Sequence, residues 1–155
     1  MKKKPLIILT GPTAVGKTAL SVKLAKAVDG EIISADSMQV YKGMDIGSAK
    51  IMPNEMDGIK HHLIDVLEPS EEFNIVKFQE LSKKALDEIY EKGKIPIIAG
   101  GTGFYIQSVL YDIDFEENEN GKEYRTYLEN IAALDGGEKK LYAILKEKDP
   151  KSSEI

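Results

Sequence analysis

Eight residues near the amino terminus, Gly11-Pro12-Thr13-Ala14-Val15-Gly16-Lys17-Thr18, have the types and the spacing needed to hold a phosphate. The glycines let the backbone wrap an anion and turn N–H groups toward it, and a helix starting there adds about half a positive charge. Lys17 is placed to neutralise the terminal phosphate, and the Thr18 hydroxyl to ligate Mg2+. The G-x-x-x-x-G-K-S/T spacing therefore predicts a P-loop for a pyrophosphate-bearing small molecule, provided that a buried strand precedes it and a helix follows.

Two further stretches carry candidate chemistry. Asp36-Ser37-Met38-Gln39 follows a predicted strand, which puts the Asp36 carboxylate at the carboxyl edge of the sheet beside the P-loop. Taken alone, Asp36 reads equally well as a helix N-cap or turn residue. Gly100-Gly101-Thr102-Gly103 makes a second strand-to-glycine-to-helix junction, which can face the same crevice. Nucleoside triphosphatases and many kinases place an acid after an apolar strand to organise magnesium and the attacking water. Here the strand Ile95–Ala99 runs into Gly100 and Gly101, and His62-Leu63-Ile64-Asp65 is a poor substitute. That points away from ATP hydrolysis and toward another reaction using pyrophosphate, with a small-molecule or nucleotide kinase and a catalytically incomplete diphosphate-binding module as alternatives.

The elements around these stretches follow from pattern. Leu6 to Thr10 is an apolar run that reads as a strand buried on both faces, and Leu20, Leu24, Ala27 and Val28 fall at helical spacing before Gly30. Glu31–Ala35 reads as a second strand that completes a right-handed crossover unit, and 36–60 as a long functional loop with room for a short helix. His61–Val66 is a weaker strand. Asn74 is placed as an N-cap, with Phe73 and Phe78 forming a hydrophobic staple. The helix behind it runs to about Glu91 on a stripe of Phe78, Leu81, Ala85, Leu86 and Ile89. After Gly93 come the strand Ile95–Ala99 and a helix carrying Phe104, Tyr105, Val109 and Leu110. An acidic boundary, Glu116–Gly121, leads to a helical hairpin with one stripe of Tyr124, Tyr127, Leu128, Ile131 and Leu134. The other stripe is Leu141, Ile144 and Leu145, beyond Gly136-Gly137. The fold class expected is α/β: a P-loop-type parallel sheet flanked by helices over 1–115, with a helical segment over 116–155.

Composition sets the outer limits. At 155 residues, 42% hydrophobic and 30% charged, the chain has the makeup of one globular domain rather than a disordered or membrane protein. No stretch approaches the length of a membrane span, and the apolar run behind the basic start Met1–Pro5 is too short for an export signal. A cytoplasmic protein and a monomer are the default expectations. The net charge of -5 argues against nucleic-acid binding over the whole surface, so any such contact has to be local. With no cysteine, disulfides, zinc–thiolate sites and cysteine nucleophiles are excluded.

The chain resembles the tRNA dimethylallyltransferase (tRNA isopentenyltransferase) family. The likeness rests on Gly11–Thr18, Asp36–Gly47, His61–Asp65 and Gly100–Tyr105 in that order, spanning most of residues 6 to 110. It implies transfer of a dimethylallyl group from dimethylallyl diphosphate to the exocyclic amine of the adenosine 3′ of the anticodon in a tRNA anticodon stem-loop. In that chemistry the P-loop and Mg2+ hold the diphosphate leaving group, and no hydrolytic water needs an acid to position it. By the same resemblance, Thr13 to Thr18 match diphosphate contacts and Asp36 the general base, while Asp36 to Gln39 match the segment against the target nucleotide. Thr102 matches a position that holds the reacting adenosine. Arg125 matches a tRNA-contacting arginine; read on its own residues it is a solvated helix face. His61 and His62 match the pattern and are expected to pack or anchor a loop. Family members are about twice this length, so an amino-terminal portion of the enzyme is expected, with 116–155 the start of the tRNA-binding insertion. A relative that prenylates free adenine nucleotides also fits this half.

Overall fold

The computed structural model describes residues 4–115 and 119–154; Met1–Lys3 of the basic start and Glu116–Asn118 of the acidic boundary lie outside them. The described residues up to Asp114 form one compact unit and those from Phe115 a second.

The first unit is built on four parallel strands in the order β1-β4-β2-β3: β1 (Ile7–Thr10), β2 (Gly30–Ala35), β3 (His61–His62) and β4 (Ile95–Gly100). Between them run α1 (Lys17–Val28) and α2 (Ile75–Glu91), and α3 (Gly103–Leu110) follows β4. The expected parallel sheet flanked by helices is what forms. β2 does not lie against β1, because β4 enters between them and pairs with both.

Alternation along the strands sorts the apolar residues into two layers. On one face Ile33 and Ile98 pack with Phe78, Ala85 and Ile89 of α2 and Ile106 of α3. On the other, Ile32 and Ile97 pack with Val22 and Ala25 of α1 and with Ile51. β2 is buried along its whole length. β1 is only half-buried, against the expectation of a strand covered on both faces, because among the described residues it pairs on one side only.

α2 starts as its sequence predicts. Asn74 Oδ1 accepts from the Lys77 N–H at 3.0 Å, and the Phe73 and Phe78 rings meet edge to face at 6.4 Å. Such a cap is worth about 1 kcal/mol. Phe78 is fully buried and stacks on Tyr105 of α3 at 4.7 Å, so the staple also joins two helices.

Other expectations are corrected. In α1 the buried face is Ser21, Val22 and Ala25, while Leu20 is 53% exposed. Ser21 turns its hydroxyl back to the Thr18 carbonyl, so it occupies little room and lets the helix approach the sheet. In α3 it is Ile106 and Ser108 that are buried, while Phe104 and Leu110 face outward. β3 stops after two residues rather than running to Val66, because Leu63 (φ 64°) and Asp65 (φ 52°) turn left-handed. The chain then bonds back to the loop after β2, with Asp65 N donating to Gln39 O and Val66 N to Val40 O. No helix forms over 36–60; residues 52–56 close only a turn.

The second unit is a hairpin of α4 (Glu119–Ala132) and α5 (Gly137–Lys148), so Glu119–Gly121, expected as boundary, belong to the first turn of a helix. Leu128, Ile131, Leu141 and Ile144 are half-buried, whereas Tyr124, Tyr127 and Leu134 are exposed. No helix among the described residues is long and apolar enough to cross a membrane.

Candidate functional site

At the carboxyl ends of the strands lies a cavity of about 620 Å³, where parallel α/β sheets generally bind ligands. One side of it is the turn between β1 and α1. Gly16 adopts a left-handed conformation (φ 87°) that a side chain would strain, and α1 begins at the next residue with its N–H groups open to the turn. Thr13, Ala14, Gly16, Lys17 and Thr18 line the cavity. Gly11, Pro12 and Val15 do not: the first two offer carbonyls to the Lys17 ammonium, at 2.8 Å for Gly11, and Val15 is exposed.

Asp36 lines the same cavity directly beyond β2. Its Oδ1 accepts from the N–H groups of Met38 (2.8 Å) and Gln39 (3.2 Å). The two readings of this residue are therefore both realised. One oxygen fixes the turn, while Oδ2 lies outside those bonds on a carboxylate at the cavity. Gln39 lines the cavity and donates from Nε2 to Ala49 O at 3.2 Å, whereas Ser37 and Met38 are exposed and stand outside it.

The second glycine junction does face the same crevice. Gly100, Gly101 and Thr102 line the cavity beside the P-loop, where a Cβ on Gly101 would lie 3.8 Å from Gly11 O. Gly100 sits between Thr10 of β1 and Ala35 of β2, and Thr102 N donates to Ala35 O. The Thr102 side chain makes no capping bond to α3, so its hydroxyl is not consumed by the helix. Arg125 is on α4 of the second unit, highly exposed, with Nε donating to Glu129 at 3.2 Å.

Sequence reasoning missed the inner wall. Ile32 and Ser34 of β2 line the cavity with Ile51, Ile64 and Ala99, and Ser21, Ser48, Ala49 and His61 line it as well. Period-two alternation back from Asp36 points to Ser34 and Ile32. The loop residues carry no such signal.

The two histidines part company. His61 Nδ1 bonds Ile59 O at 2.9 Å, and its Nε2 is buried without a partner. His62 turns away to Glu31 at 2.8 Å, and Glu31 also holds Lys92 at the amino end of β2. Burial pushes both imidazoles below their ordinary range; for His62 the Glu31 bond only partly offsets this. Asp65, the weak candidate for a magnesium-organising acid, is bonded instead to Lys50 at 2.6 Å and lines no part of the cavity.

The oxygen donors at the cradle are hard ones, the Thr18 and Thr13 hydroxyls. Among the described residues no three His, Asp or Glu side chains gather. That donor set fits an ion such as magnesium, which takes one or two protein oxygens and fills its shell from substrate phosphates and water.

The family model described as IPP transferase matches residues 39–155. The chain belongs to the IPP transferase family. Among curated relatives, a protein of Lachnoclostridium phytofermentans named tRNA dimethylallyltransferase is 62% identical over 97% of this chain, and one of Bacillus velezensis with the same name is 53% identical over 98%. The chain spans about half the length of both, 48% in each case. Among solved structures, the full-length tRNA isopentenylpyrophosphate transferase of Bacillus halodurans superposes with a TM-score of 0.70 at 46% identity, over 97% of this chain and 50% of that one. A eukaryotic dimethylallyltransferase acting on tRNA gives 0.71 at 34% identity, over 97% of this chain and 37% of that one.

Proposed function

We propose that this chain supplies the catalytic half of a tRNA dimethylallyltransferase. The observation that carries the reading is the composition of one cavity: a phosphate cradle, an isoleucine wall and a carboxylate all line it. A diphosphate ester with a short branched apolar chain fits that combination. A nucleoside triphosphatase would need an acid where β4 instead ends in Gly100.

In this reading the cradle from Thr13 to Thr18 binds the diphosphate of dimethylallyl diphosphate. The bond from the allylic carbon to the diphosphate oxygen breaks, its electron pair leaving with the diphosphate, while the adenosine exocyclic nitrogen bonds to that carbon. The nitrogen's proton passes to Asp36, whose second oxygen is left for it by the turn. Thr102, which lines the same cavity, offers its hydroxyl to the adenosine. Bound Mg2+ would supply positive charge to the departing diphosphate, held through Thr18. The hairpin of the second unit, with Arg125, is the start of the surface that meets the anticodon stem-loop, and the protein works in the cytoplasm. With a net charge of -5, the 155-residue chain alone is expected to bind tRNA weakly and to turn over slowly or not at all.

The test is calorimetric titration with dimethylallyl diphosphate and, separately, ATP, each with magnesium, on the wild type and on Lys17→Ala. Tighter magnesium-dependent binding of the allylic ligand, weakened at least about tenfold in the variant, supports the reading. Tight binding of ATP alone would replace it with a kinase.

A further inference from the structure

Lys50 is a buried cation outside the cavity. Its side chain is 2% exposed, yet its ammonium reaches Tyr41 O at 2.7 Å, Asp45 Oδ1 at 2.8 Å and Asp65 Oδ1 at 2.6 Å. Those three acceptors use all three N–H donors of the group. Burial pushes this lysine toward the neutral form, but the two carboxylates outweigh burial and hold its affinity for the proton above the ordinary lysine value. The charge is thus permanent near neutrality.

The clamp adds a buried charge to a junction that the backbone bonds Asp65 N to Gln39 O and Val66 N to Val40 O also tie, and it brings in Asp45 as a third point. Tyr41 follows the Asp36 turn, Asp45 lies in the glycine-bearing bend, and Asp65 follows β3. Ala49 (φ 48°), the residue before Lys50, and Asp65 (φ 52°), its partner, are both left-handed. Non-glycine residues keep that conformation only where the surroundings enforce it. The neighbours of Lys50 in sequence, Ala49 and Ile51, line the cavity, and Gln39 is bonded to Ala49 O.

We propose that Lys50 is a positioning residue for prenyl transfer. It touches no ligand, and through Asp45 and Asp65 it sets the wall of Gln39, Ala49 and Ile51 against the organic part of the substrate, leaving the phosphate cradle to the P-loop. The inference rests on the cavity being the prenyl diphosphate site.

The experiment compares magnesium-dependent binding of inorganic pyrophosphate and of dimethylallyl diphosphate by the wild type, Lys50→Met and Asp65→Asn. Wild type should prefer the allylic ligand; if it does not, the prenyl reading of the site fails and the proposal falls with it. Given that preference, Lys50→Met should lose at least about tenfold in affinity for dimethylallyl diphosphate while pyrophosphate binding changes less than about threefold. Asp65→Asn, which keeps the shape and removes one charge, should show the same split to a smaller degree, and it decides the matter if Lys50→Met does not fold. Unchanged binding of the allylic ligand, or equal loss of both ligands in Asp65→Asn, would overturn the proposal.

Discussion

Gly100 leaves no room for a side chain against Ala35: a Cβ built on it would lie 2.2 Å from the Ala35 carbonyl oxygen and 2.8 Å from the Ala35 Cβ. The two residues are register partners at the carboxyl ends of β4 and β2, one residue before Asp36 on one strand and two before Thr102 on the other. The close approach is what brings the carboxylate turn and the second glycine junction to one cavity. Gly100→Ala should destabilise the fold by about 2 kcal/mol, since the obstacle is backbone that cannot swing aside. Urea unfolding measures this, and a loss below about 0.5 kcal/mol would mean the strands part freely there.

Asp36 performs a structural task with one oxygen, which makes the choice of substitution decisive. Asn keeps an acceptor for the Met38 and Gln39 N–H groups, so the turn survives and only proton acceptance is lost. Asp36→Asn should leave dimethylallyl diphosphate binding within about twofold and lower single-turnover transfer by about 100-fold or more. The transfer assay uses this chain fused to the carboxy-terminal half of the Lachnoclostridium phytofermentans relative. Transfer at the wild-type rate would remove Asp36 from the chemistry. Asp36→Ala should weaken binding as well, because the turn goes with the carboxylate.

In the second unit, Gly137 is the corresponding close approach. A Cβ there would meet Ile131 O at 2.1 Å and Ala132 O at 2.9 Å, both backbone atoms at the end of α4. The hairpin rests on half-buried contacts, so it should open before the sheet does. Gly137→Ala is expected to speed amide exchange at Leu128, Ile131, Leu141 and Ile144 by about tenfold or more while β2 and β4 amides keep their protection. Equal acceleration in both units would show that they unfold together.

Where a structural instruction is local, the residues spell it out. Asn74 with Phe73 and Phe78 announces α2, and the P-loop glycines and the Gly100–Gly103 junction announce the glycine-rich part of the cavity, because each acts within a few residues. Ser21 escaped notice because a polar side chain that bonds its own helix behaves as a small core residue. β3 was overread because its end is set by left-handed turns at Leu63 and Asp65, and neither residue type advertises one. Lys50 was invisible for a deeper reason. A lysine in a glycine-bearing loop reads as solvated until the fold delivers Asp65 from beyond β3. The isoleucine wall shares that dependence on distant chain, so the glycine-rich side of the cavity was legible and the isoleucine side was not.

Acid should weaken the fold in two stages, for reasons set at β3 and β2. Burial depresses His61 and His62 below the ordinary imidazole value of 6.5; bonds to Ile59 O and to Glu31 pull upward without prevailing. The unfolded chain therefore takes up protons near pH 6.5 that the folded chain refuses, and stability falls with pH from there. Glu31 follows at lower pH. Burial alone would raise its carboxyl, but the bonds and charges of His62 and Lys92 outweigh burial and hold it below 4.5, so its contribution is present above that value and lost as pH drops through the folded one. Each group steepens the decline by at most about 1.4 kcal/mol per pH unit. Urea unfolding from about pH 8 to about pH 4 should show a plateau above neutrality, a decline starting near pH 6.5 and a steeper one below 4.5. Replacing both histidines by glutamine should flatten the first stage and soften the second, which Lys92 then sustains. If wild-type stability instead rises as pH falls from about 7 to about 5, the folded chain is gaining protons at β3, and the assignment of neutral, buried imidazoles is wrong.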